Sequence, residues 1–241
     1  MKRGDVAELA GSAGVGAWTA FAVLAMNATG GAGDPIRPDR SLLTWSLGHR
    51  PDVLLAVARG VTATGTGVVP YALVVLAGAV AGRTLRQRLL AGALGLACLL
   101  AGQALRYGVM EAAHRARPPR ADWAAPASGW SFPSGHTTTA ALAAGLLVVA
   151  LTVRAPRGGT ALSAAVGCWG VSVGLTRAYL GVHWFSDVVG GWLFAVGWLG
   201  LCLCAAAHWS PTASLARPAR PRHPEEHASR DPGRGGRSRP A

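Results

Sequence analysis

The chain of 241 residues is 51% hydrophobic and 14% charged, against roughly 25% charged in an average soluble domain. Its apolar residues form long runs separated by short Arg-bearing breaks, which excludes an ordinary soluble core and points to a membrane bundle. The formal charge of +12 does not argue for nucleic acid: seven arginines lie after Leu215, and no basic helix or aromatic stacking platform goes with them.

A helix rises about 1.5 Å per residue, so about 20 apolar residues cross a bilayer core of about 30 Å. Six segments meet that measure, at 6–28, 65–82, 89–113, 136–153, 160–176 and 184–207. They predict an all-α, six-transmembrane-helix bundle occupying residues 1–207. Lys2 and Arg3 precede the first segment, but Asp5 and Glu8 interrupt the basic stretch and no clear small-residue cleavage site follows Met26. It therefore reads as a span, not as a removed signal. Residues 41–64 mix Leu42, Leu43, Trp45, Leu47, Leu54, Leu55 and Val57 with Arg50, Asp52 and Arg59, the pattern of a helix lying in the membrane interface. Cys98, Cys168, Cys202 and Cys204 sit inside apolar runs without metal-ligand spacing and read as small buried hydrophobes, with no part for disulfides. Residues 208–241, rich in Pro, Arg and Gly, read as a basic, disordered cytoplasmic tail.

Orientation follows from the basic residues of the short loops. Lys2 and Arg3, then Arg83, Arg86 and Arg88, then Arg154 and Arg157, and the tail all fall on one side, which is read as cytoplasmic. Both termini are thus expected there. The opposite loops still carry Arg37, Arg40, Arg50, Arg115, Arg117 and Arg120, exceptions that call for a reason.

Three polar segments converge on that opposite, extracytoplasmic side. They are Arg115-Ala-Arg117-Pro118, Pro133-Ser134-Gly135-His136, and Thr176-Arg177-x5-His183-x3-Asp187. Singly each has a plain reading: headgroup anchors for Arg115 and Arg117, a turn before a helix, and an i,i+4 pair. Together they have the chemistry of an anion site. Arg117 and Arg177 carry planar forks that match phosphate oxygens. Ser134 and Gly135 precede a helix whose first amides and dipole cradle an anion. Asp187, one turn after His183, holds one ring nitrogen as N–H and leaves the other to attack phosphorus, so that a covalent intermediate divides the displacement into two steps. His136 is placed to protonate the leaving oxygen.

These three segments resemble the signature motifs of the type 2 phosphatidic acid phosphatase superfamily, which includes membrane lipid phosphatases and soluble vanadium haloperoxidases. The resemblance implies Arg117, Ser134, Gly135 and Arg177 as phosphate ligands, His136 as general acid, His183 as nucleophile and Asp187 as its partner. It also implies a hydrolase that needs no metal or other cofactor and takes a membrane lipid phosphate or polyprenyl diphosphate as substrate. There are two departures. Met110 stands where the family usually has Lys, seven residues before Arg117, and Thr176 replaces a usual Ser. Arg106, one helical turn before Met110, is the candidate replacement cation, with snorkelling to the interface as its plain alternative. Two other functions stay open at this point: a lipid phosphotransferase on the same fold, and a non-catalytic transporter or scaffold.

Overall fold

The computed structural model describes residues 3–30 and 35–209. Within them the chain is helical throughout: α1 (Arg3–Thr29), α2 (Arg37–Gly48), α3 (Asp52–Ala63), α4 (Val68–Ala81), α5 (Leu85–Ala113), α6 (Gly135–Arg154), α7 (Gly159–Tyr179) and α8 (Phe185–Trp209), with a 3-10 turn at Arg120–Asp122. The described residues up to His208 form one compact unit. The expected basic tail falls, beyond the end of α8, outside the described residues.

All six expected spans contain a helix, but six crossings are not confirmed. Among the described residues α5, α6, α7 and α8 are long and apolar enough to cross a membrane, and α3 with α4 makes a fifth if that pair, bent by 52°, is one broken span. The shortfall at α4 has a local cause. Gly67 has φ +67°, outside the helical region, so the helix begins at Val68 and has 14 residues. That is about 21 Å of helix against a core of about 30 Å. α1 has 27 residues but is not among the four.

The expected interfacial segment is two helices rather than one. α2 ends at Gly48, and α3 restarts after Pro51, whose ring is tolerated ahead of a helix but not inside one. Leu42, Trp45, Leu47, Val53, Leu54 and Val57 on this pair are exposed, and both helices pack against α7.

α6 is the most enclosed span and packs against α4, α5 and α7. Between apolar helices in lipid, close approach and van der Waals contact replace the hydrophobic drive of a soluble core. Gly174 shows how close: a Cβ there would meet Trp192 and Val188 at 2.9 Å and Thr137 at 3.0 Å, so α6, α7 and α8 meet at a point only glycine fits. An aromatic cluster ties α1 to the same end of the bundle. Phe132 is fully buried and stacks on Phe21 with ring centroids 5.4 Å apart, while Phe194 meets Phe21 edge-on at 5.7 Å. The residues just before Pro133 are thereby fixed against α1 and α8.

The cysteines depart in part from expectation. Cys168 is exposed, the other three are half-buried, and none of the four is in a disulfide, with Cys98 and Cys202 meeting across α5 and α8 at 3.4 Å.

Candidate active site

The C-terminal end of α5, the start of α6, and the turn joining α7 to α8 come together at one end of the bundle. They enclose a cavity of about 620 Å³ lined by Arg106, Tyr107, Met110, Glu111, Arg117, Gly135, His136, Arg177 and His183, with residues of the 126–129 loop. Six of the eight residues expected from sequence therefore line the cavity, while Asp187 and Ser134 are fully buried behind it.

His183 lies on the α7–α8 turn, where Gly181 has φ +69° and reverses the chain. A side chain at Gly181 is barred twice, by that φ and by the Asp122 backbone carbonyl, 2.5 Å from where a Cβ would stand. The imidazole is 4% exposed. Its Nε2 is 2.9 Å from Arg117 Nη1, and its Nδ1 faces Asp187 Oδ2 at 3.4 Å and Ser131 Oγ at 3.5 Å. Arginine has only donors, so the contact to Nε2 requires a lone pair there and the ring proton on Nδ1, toward Asp187. That is the tautomer a nucleophilic Nε2 needs. Burial is the main cause that pushes the ring pKa down to about 4; the Asp187 hydrogen bond opposes it, and the positive charges of Arg117 and Arg177 add to it. His183 is accordingly neutral at pH 7.

The arginines differ in how their donors are used. Arg117 is fully engaged: Nε donates to Gly129 O, Nη2 to Ser128 O and Trp130 O, and Nη1 to Val182 O and toward His183. Burial lowers its pKa. Arg177, 3% exposed, makes two long contacts, to Thr62 Oγ1 at 3.2 Å and Pro126 O at 3.5 Å, and its buried Nε has no partner. Arg106 rests its Nη1 on the Met110 sulfur at 3.2 Å, a weak acceptor, and its guanidinium carbon is 3.4 Å from where a Cβ on Gly135 would stand. The cation expected near the missing Lys is thus over the helix start, inside the cavity.

At that start Gly135, not Ser134, forms the cavity wall. Ser134 is fully buried, and its hydroxyl accepts from Thr137 Oγ1 at 3.0 Å. The first amides of a helix have no intrahelical acceptor, so the start of α6 offers N–H groups and the positive end of a dipole beside His136.

Below the cavity lies a group of charges that sequence reasoning missed. Arg115, read alone as a headgroup anchor, is 1% exposed and pairs with two buried carboxylates, Asp187 at 2.5 Å and Asp39 at 2.8 Å. Asp187 also accepts from the Ser131 hydroxyl and, at 2.8 Å, from the Trp184 amide. Asp39 on α2 accepts from the Ser186 amide at 2.8 Å and from its hydroxyl at 2.5 Å. The only sequence signal was the surplus of arginine in the outer loops. Arg50 explains part of that surplus as a brace, donating to Tyr179 O and Asp122 O, and Arg59 of α3 likewise donates to Ala124 O.

Apolar helices of spanning length define a multi-pass membrane protein, with histidine and arginine gathered at one end of its bundle. The model of the PAP2 superfamily matches residues 62–211, more than half of the chain, and the chain belongs to that superfamily. Among solved structures, it resembles the transmembrane PAP2-type phosphatidylglycerolphosphate phosphatase of Bacillus subtilis, with a TM-score of 0.64 and 27% identity over 86% of this chain and 98% of that one. Comparison with the curated proteins gave no match.

Proposed function

We propose that the chain is an integral-membrane phosphatase that removes phosphate from a lipid through a phosphohistidine on His183 Nε2. The observation that carries the reading is the imidazole held between Arg117 at Nε2 and Asp187 at Nδ1, neutral and facing an arginine-lined cavity. Family membership and the likeness to a phosphatidylglycerolphosphate phosphatase support a lipid phosphate as the substrate class.

The phosphate enters between Arg177, Arg106 and the start of α6. Donors of these residues that the protein itself under-uses take its oxygens, each charged hydrogen bond contributing about 1.5–3 kcal/mol. Arg117 Nη1 turns its N–H from Nε2 to an incoming oxygen, which uncovers the attacking lone pair. Nε2 then bonds to phosphorus as the bond to the lipid oxygen breaks, and His136, protonated beside the bound phosphate anion, gives that oxygen a proton. Asp187 stabilises the ring as it becomes positive. In the second half His136 takes a proton from water, the water oxygen bonds to phosphorus, and the bond to Nε2 breaks, releasing inorganic phosphate and restoring both histidines. The residues of the site serve this reaction without a metal.

The site faces the extracytoplasmic side, α1 and α4 complete six crossings, and both termini are cytoplasmic. The asymmetry of the loop arginines supports this orientation. A cysteine at exposed Ser128 reacts with an impermeant thiol reagent on intact cells; labelling only after lysis reverses the orientation. The activity itself is tested by phosphate release from phosphatidic acid, phosphatidylglycerolphosphate and a polyprenyl diphosphate, using purified protein in detergent with EDTA. Release by wild type and none by His183→Ala is expected. Equal release by both overturns the mechanism, and no release from any of the three overturns the activity.

A further inference from the structure

The carboxylate partner of a nucleophilic histidine works through its negative charge, and in this protein that charge is shared. Asp187 gives Oδ1 to Arg115 at 2.5 Å, while Oδ2 faces Ser131, the Trp184 amide and His183. A lone Arg115–Asp187 pair would be neutral and would leave no net charge to favour a positive imidazole. Asp39 changes the count. It binds the other guanidinium nitrogen of Arg115 at 2.8 Å, and all three side chains are buried at 1% exposure or less. Two carboxylates and one guanidinium leave one net negative charge beside His183, far from water and therefore weakly screened. Ser186 locks the arrangement: its hydroxyl accepts from Arg115 and donates to Asp39, and its amide donates to the other Asp39 oxygen.

We infer that Asp39 and Arg115 are positioning residues for the reaction at His183, forming a buried charge relay that runs from α2 through Asp187 and sets how readily the imidazole becomes positive. The inference rests on the phosphatase reading above, since the step it serves is attack by Nε2. It adds a residue from α2, a helix outside the three motif segments and 147 residues before the Ser186 it binds. Breaking such a group by removing one charge leaves its partner buried and unpaired.

The test compares purified full-length wild type, Asp39→Asn, Asp39→Glu and Arg115→Gln, all checked for folding. It reads kcat, KM, the acidic limb of kcat/KM, and the titration of His183 by nitrogen NMR of histidine-labelled protein, assigned by the signal lost in His183→Ala. The charges facing the ring are Asp187 on α8, Arg117 on the loop after α5, Arg177 on α7, and His136 on α6 when protonated, with Arg106 on α5 in the same cavity. All stay in place in these variants. Asp39→Asn takes the relay from one net negative charge to none, so His183 titrates at lower pH and kcat falls about tenfold or more at nearly unchanged KM. Arg115→Gln takes it to two, and His183 titrates at higher pH.

Opposite shifts support the relay, and unshifted titration with wild-type kcat in folded variants overturns it. Where Asp39→Asn does not fold, Asp39→Glu decides: it keeps the charge but displaces Arg115, so kcat falls with the titration in place, whereas wild-type kcat overturns the inference. The NMR titration needs no turnover. If no His183-dependent phosphate release is found while the opposite shifts persist, the phosphatase reading fails and the relay stands.

Discussion

Two groups of arginine lie on either side of His183, and they are treated differently. Beneath the ring, Arg115 has both terminal nitrogens on buried carboxylates or a serine at 2.5–2.8 Å. In the cavity, Arg177 makes only contacts of 3.2 and 3.5 Å and Arg106 rests on a thioether, while a buried Nε without a partner is common to Arg115 and Arg177. A buried cation that is poorly satisfied costs stability unless something arrives to pair with it. The difference supports the proposed division of labour, in which the first group holds His183 and the second takes an anion. Arg117 belongs to both, since its carbonyl contacts fix the 128–130 loop while one N–H covers Nε2.

Substitutions in the cavity group should cost catalysis and those in the holding group should also cost stability, which is how the comparison is broken or sharpened. The largest effect is expected from Arg177→Met. Losing two charged hydrogen bonds of about 1.5–3 kcal/mol each lowers kcat/KM by about 10²–10⁴ while the thermal midpoint changes little. A collapse in stability with activity per folded molecule intact would move Arg177 into the holding group.

Arg106→Ala follows, with a loss of more than about tenfold in kcat/KM, or about 1.4 kcal/mol of transition-state binding. A fall confined to expression would make Arg106 an interface anchor.

The pH dependence comes next. A folded-state pKa for His183 of about 4 keeps Nε2 unprotonated well below neutrality, so kcat/KM should hold as pH falls from 7 and drop only as it passes through about 4. An acidic limb near the ordinary histidine value of about 6.5 would mean that the ring is better solvated than its burial implies. The smallest effect is expected from Met110→Lys. Arg106 already lies against the Met110 sulfur, so a second cation there meets repulsion and should improve binding little. A tenfold gain would show that the usual lysine position is truly vacant.

Much of this contrast was legible in the sequence, because it is carried by short motifs whose spacing survives folding. The segments around Arg117, His136 and His183 reach one cavity, as their positions at span ends required. Arg106 was legible only as an alternative, since its helical offset from Met110 puts the two on roughly one face without saying which way they turn. The buried relay was not legible. Asp39 is 76 residues from Arg115, its place in the first turn of α2 already accounts locally for a carboxylate, and partners so distant are chosen by packing. Ser134 shows a related limit: a serine ahead of a helix offers its amide and its hydroxyl, and only the fold decides that the amide donates to Asp187 O and the hydroxyl turns inward to Thr137. The length of α4 was hidden too, because hydropathy runs smoothly through Gly65 and Gly67 while the positive φ at Gly67 does not.

The central claim is that His183 Nε2 carries the phosphoryl group between lipid and water. The most direct measurement is a rapid alkaline quench of detergent-purified protein turning over phosphatidic acid that is radiolabelled in its phosphate, with the labelled residue located by peptide mapping. The account predicts an acid-labile, base-stable label on the peptide containing His183 in wild type and none in His183→Ala. Label retained in His183→Ala, or found on another residue of a working wild-type enzyme, would contradict it.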